Sequence, residues 1–85
     1  MRDAAQDQVV LGRALQALRD QADVTQEEMA VRLGIHSTYV SQVERGRRGA
    51  RWHTVLRFLD ALDCNLHKLA DAISEVEKQD LPPKR

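Results

Sequence analysis

Apolar residues recur every three or four positions along most of this chain and almost nowhere in strict alternation. That period belongs to one-sided helices, so the pattern predicts an all-α chain of five helices without strands. The first is expected from about Asp7 to Gln21, with Leu11, Ala14, Leu15 and Leu18 as its apolar stripe. Gly12 interrupts it and weakens it by roughly 1 kcal/mol relative to alanine. The second begins at Thr25, which with Glu28 makes a capping box: the hydroxyl accepts from the Glu28 amide and the carboxylate reaches back. Met29, Ala30 and Leu33 form its inner face, and Gly34 supplies the left-handed residue that ends it. The third spans about His36 to Arg45, with Val40 and Val43 inward and Ser37, Thr38, Ser41 and Gln42 outward, and Gly46 stops it. Arg47–Arg51 is a basic loop. The fourth runs from about Trp52 to Leu62, with Trp52, Val55, Leu56, Leu59 and Leu62 as its apolar set. Asn65 caps the fifth, from Leu66 to about Gln79, along which Leu66, Leu69, Ile73 and Val76 form a narrow seam. Pro82 and Pro83 end regular structure. Residues 1–6 are expected as a flexible arm, 7–79 as the folded domain and 80–85 as a disordered tail.

Size and chemistry narrow what such a chain does. Its 85 residues suit one domain with a modest core, helped by helical packing or dimerisation. The lone Cys64 excludes an internal disulfide, no segment resembles a secretion signal, and apolar runs reach only two or three residues. A cytoplasmic protein with no membrane partner is expected. Cys64 and His67 form a C-x-x-H pair without a second pair, and His36 and His53 are far away in sequence, so neither metal nor cofactor is expected. No nucleophile elbow, phosphate-binding glycine loop or metal-histidine motif is present, which argues against an enzyme.

Charge adds the first functional hint. The formal net charge is zero, yet the signs are segregated. Between Ser37 and Arg57, Arg45, Arg47, Arg48, Arg51 and Arg57 face Glu44 alone, while the rest of the chain is mildly acidic. Such a cluster can grip phosphates while the acidic remainder weakens indiscriminate binding. A solvated loop is the plainer reading of the same arginines.

The stretch Gln26–Glu44, QEEMAVRLGIHSTYVSQVE, decides between them. Two helices joined by a short glycine turn cross steeply. Ala30 sits where they approach, so a larger side chain would part them. Met29, Leu33, Ile35, Val40 and Val43 fill the wedge. The outer face of the third helix is then short and polar, which suits a groove about 12 Å wide. A plain three-helix bundle would match fewer of these positions.

The run TQEEMAVRLGI…YVSQVERG resembles the helix-turn-helix of the Xre (phage Cro and repressor) family of transcriptional regulators, without gaps from about Leu11 to Leu69. Within it, the chain is similar to the small controller proteins of restriction–modification systems. The resemblance implies a five-helix Cro/repressor-like domain, bound to double-stranded DNA as a homodimer on a palindromic operator. It implies a bacterial, nucleoid-associated protein or one encoded by a phage or mobile element. It also implies that Ser37, Thr38 and Gln42 read bases: glutamine bonds adenine bidentately, and the threonine methyl meets that of thymine. Ser37 has helix capping as its alternative. Gln26, His36, Tyr39, Ser41, Arg45, Arg47, Arg48, Arg51 and His53 are candidates for phosphate or mixed contacts. Tyr39 is open between a phosphate contact and packing. Trp52 is expected in the core, and Glu44 is expected to be structural, paired with Arg45 or an arginine of the second helix. The seam residues Leu69, Ile73 and Val76 are the expected dimer interface. An antitoxin-type module that binds a partner protein as well as DNA is the alternative function.

Overall fold

The computed structural model describes residues 3–79 and consists of five helices: α1 (Ala4–Gln21), α2 (Gln26–Leu33), α3 (Ser37–Glu44), α4 (Trp52–Ala61) and α5 (Leu66–Gln79). No strand occurs among the described residues. Helix α1 starts three residues before its expected beginning at Asp7. The cause is local: the Asp3 carboxylate accepts from the amides of Ala5 and Gln6 at 3.0 and 3.4 Å, closing the first turn. Residues 4–6 are therefore helix rather than arm. The remainder of that arm (1–2) and the expected tail (80–85) lie outside the described residues.

The capping box of α2 forms as its sequence dictates. Glu28 N–H donates to Thr25 Oγ1 at 3.0 Å, and Thr25 N–H donates to the Glu28 carboxylate at 2.8 Å. Gly34 ends α2 at φ 69°, a left-handed conformation that costs a residue without a Cβ nothing. Asn65 Oδ1 accepts from Lys68 N–H at 2.9 Å and opens α5. Between α3 and α4, Gly46 turns at φ 74°, and a Cβ there would meet Val9 Cα at 2.7 Å.

Helix α1 is the spine: it packs along α5 on one side and against α3 on the other, while α2 packs on α3 and α4. The core draws on every helix, with Phe58, Leu15, Met29, Val40 and Val43 fully enclosed. Each such side chain contributes about 1.5–3 kcal/mol by leaving water. The crossing of α1 and α3 explains Gly12. A Cβ at that position would lie 2.2 Å from the Val43 carbonyl oxygen and 2.8 Å from that of Glu44. The glycine that weakens α1 is what lets α3 come close. At the other end of α2, Arg32 donates to the Ala61 carbonyl at 2.8 Å, tying it to the end of α4.

One expectation about packing fails and a second is narrowed. Trp52 is 62 % exposed and lies outside the core, because α4 turns Val55, Phe58 and Leu59 inward and places Trp52 and Leu56 on the next stripe. Leu69 and Val76 are each only 6 % exposed, since α5 spends them on its contact with α1. They have almost no surface left for a second subunit. Ile73 is half-buried. No helix of the described residues is long and apolar enough to cross a membrane.

Candidate nucleic-acid interface

Helix α3 has two chemically different sides. Val40, Val43 and Glu44 are buried. Thr38 and Gln42, one turn apart, lie opposite them; Thr38 is exposed and Gln42 partly so. Ser37 and Ser41 occupy one flank and Tyr39 the other, all half-buried. His36 precedes the helix in extended conformation with its side chain exposed, and no side chain caps the first turn. His36 occupies the N-cap position and caps through its backbone carbonyl alone, which accepts from Tyr39 N–H at 3.0 Å, and Ser37 is the first helical residue. The first two amides of α3, those of Ser37 and Thr38, have no side-chain acceptor and lie at the positive end of its dipole.

A buried network fixes that face relative to the other helices. Arg19 and Glu44 are the two buried charged side chains among the described residues. Arg19 Nε donates to Glu44 Oε2 at 2.6 Å and its terminal nitrogen to Oε1 at 2.9 Å, a two-point fork. Another Arg19 nitrogen donates to the Val24 carbonyl at 2.6 Å, and Gln26 Nε2 donates to Glu44 Oε1 at 2.9 Å. The end of α1, the start of α2 and the end of α3 meet on one carboxylate. The hydrogen bond to Glu44 is the main cause that raises the already high pKa of Arg19. Glu44 is structural as expected, but its partner is Arg19 in the first helix, neither Arg45 nor an arginine of the second. Gln26 is half-buried, and its amide carries a second N–H beyond the one given to Glu44.

The basic segment is the opposite case. Arg45, Arg47, Arg48 and Arg51 are all exposed, and among the described residues none of them makes an ion pair. The loop is held by its backbone: Arg47 N–H donates to the Gln42 carbonyl at 3.0 Å, and Gln8 Nε2 reaches the Gly46 carbonyl at 3.4 Å. Arg48 alone of the four has a side-chain partner among the described residues, with its guanidinium carbon 4.9 Å from the centroid of the Tyr39 ring. His53 is exposed on the first turn of α4, whose start also has no side-chain cap.

Arg19 and the Arg48–Tyr39 pair escaped sequence reasoning, yet Arg19 left a trace. It stands four residues after Leu15, on the buried stripe of α1, where an unpaired charge is not tolerated. Among the described residues, no group of three or more His, Cys, Asp or Glu side chains is placed to hold a metal ion.

The chain matches the helix-turn-helix domain family over residues 10–72. It is similar to the restriction-modification controller protein C.AhdI from Aeromonas hydrophila, with 34 % identity and a TM-score of 0.74, over 80 % of this chain and 99 % of that one. It is also similar to the clp gene regulator ClgR from C. glutamicum, with 25 % identity and a TM-score of 0.75, over 80 % of this chain and 87 % of that one. A tyrosine-to-phenylalanine mutant of the restriction-modification controller protein C.Esp1396I shares the fold at 20 % identity and a TM-score of 0.76, over 94 % of this chain and 100 % of that one. No curated protein matches.

Proposed function

Since this chain belongs to the helix-turn-helix domain family, in its Xre-type branch of DNA-binding transcription regulators, we propose that it works as a homodimer reading the two halves of a palindromic operator. The observation that carries this reading is the outward pair Thr38 and Gln42 on α3, flanked by four exposed arginines without ion pairs among the described residues. Thr38, Gln42 and Ser37 supply base discrimination. Gln26, His36, Tyr39, Ser41, His53 and the loop arginines supply grip on phosphates, which positions the module without reading sequence. One module contacts few base pairs, so two related by a twofold axis read half-sites about 34 Å apart.

The dimer face in this proposal keeps Leu66 and Ile73 of the α5 seam, drops the buried Leu69 and Val76, and extends onto α4. Leu56 and Leu66 are 39 % and 49 % exposed, and with Leu59 and Cys64 they line a shallow apolar groove between α4 and α5. Trp52 lies one turn before Leu56 on the same face, and Ile73 two turns after Leu66 on the same stripe. An apolar face of this extent on a small chain favours a second copy as its cover.

Selection of binding sites from random duplex DNA tests the first half of the proposal. The expected outcome is a twofold-symmetric site, and Gln42→Ala relaxes preference at one base pair per half-site by about 1–3 kcal/mol. Recovery of unenriched DNA would overturn it. For the second half, Leu66→Asp should yield monomers in sedimentation, and an undiminished dimer would move the interface elsewhere.

A further inference from the structure

Four arginines surround the recognition face, and the structure treats one of them differently. Among the described residues, Arg45, Arg47 and Arg51 extend from the backbone with no side-chain partner, whereas Arg48 lies over the Tyr39 ring at 4.9 Å from its centroid. Tyr39 is itself half-buried on the flank of α3, so its ring is a fixed surface rather than a second mobile group. The pair lines a cavity of about 300 Å³ together with Leu33, Ile35, Thr54 and Arg57. Arg57, the other guanidinium there, is committed to the carbonyl of Leu33 at the end of α2. Arg48 is therefore the cation of this corner that is both held and available.

We propose that Tyr39 is a positioning residue for Arg48: its ring face pre-aims the guanidinium along the flank of α3, so that this arginine meets the DNA backbone with little ordering left to do. This rests on the DNA-binding reading above. An arginine gripping a phosphate normally gives up much rotamer freedom. A guanidinium already stacked on an aromatic face has given it up in the free protein, and its edge still presents donors to a phosphate. The role assigned here is that of the ring. The hydroxyl is a separate group with its own candidate contact.

A double-mutant cycle on the full chain separates the possibilities. Affinity for duplex DNA is measured over a range of salt for the unaltered chain, Tyr39→Phe, Tyr39→Leu, Arg48→Ala and the two double variants. The ring's contribution, read as the difference between Tyr39→Phe and Tyr39→Leu, should be about two- to five-fold in affinity, and should vanish when position 48 is alanine. The hydroxyl's contribution, whatever its size, should be the same in both backgrounds. Pentafluorophenylalanine at position 39 keeps ring size but reverses the charge of its face. It should behave like leucine, and it serves if Tyr39→Leu does not fold. Without DNA, the Arg48 side-chain protons should be shifted upfield by the ring and return to ordinary positions in the leucine variant. Equal ring effects with Arg48 and with Ala at 48, beside normal DNA binding by the unaltered chain, would overturn this proposal and leave the function standing. Failure of the unaltered chain to bind duplex DNA would overturn both.

Discussion

Arg19 and the arginines at 45, 47 and 51 are the same residue used in opposite ways. Arg19 is buried and has its donors taken by Glu44 and the Val24 carbonyl. The others stand in solvent with no ion pair among the described residues. The same division separates two helix starts. The first turn of α2 is closed by Thr25 and Glu28, and that of α3 is left without a side-chain cap. Inside the molecule, then, polar groups are satisfied by the chain itself, and satisfaction fixes the angle between helices. At the α3 surface they face solvent.

The contrast is broken most severely from the inside. Glu44→Ala strands a buried guanidinium and removes the acceptor shared by three helices, and should cost about 3–5 kcal/mol in denaturant unfolding. A loss under about 1 kcal/mol would mean that Arg19 finds water and that the network holds nothing together. The outer set should respond in the opposite channel. Arg47→Ala with Arg48→Ala should leave stability within about 0.5 kcal/mol, while the slope of log affinity against log salt flattens by about 0.9 for each phosphate no longer gripped. An unchanged slope would return that loop to solvent. The smallest effect sharpens the comparison of helix starts. Glu28 is held below its ordinary 4.5 chiefly by the Thr25 amide it accepts from. Because the folded value is depressed, its stabilisation is present above the ordinary value and lost as pH falls through the folded one. Melting temperature should therefore drop across that acid range in the natural chain and be flatter there in Glu28→Gln.

Local chemistry is legible in the sequence itself. The capping box, the Gly34 turn, the Asn65 cap and the outward position of Thr38 each depend on residues within four positions of one another, and each stands where the sequence puts it. The fold class follows from the same short-range periodicity. What a single helix cannot disclose is which of its stripes the neighbouring helices cover. The apolar set assigned to α4 spans more of its circumference than the core accepts, so Trp52 and Leu56 stay outside. Leu69 and Val76 of the α5 seam read as surplus surface only while the length of α1 running beside that helix is invisible. Arg19 and Glu44 are 25 residues apart, and no rule based on nearby positions joins them.

Gly12 carries a consequence for anyone who randomises this chain. Every other amino acid carries the Cβ that Val43 and Glu44 leave no room for. In a saturation library scored for folded protein, position 12 should emerge as a column of failures, although it lies against the buried side of α3, away from Thr38 and Gln42. A screen of that kind would mark it as sharply as any binding residue, when its part is to be the notch in which α3 is seated.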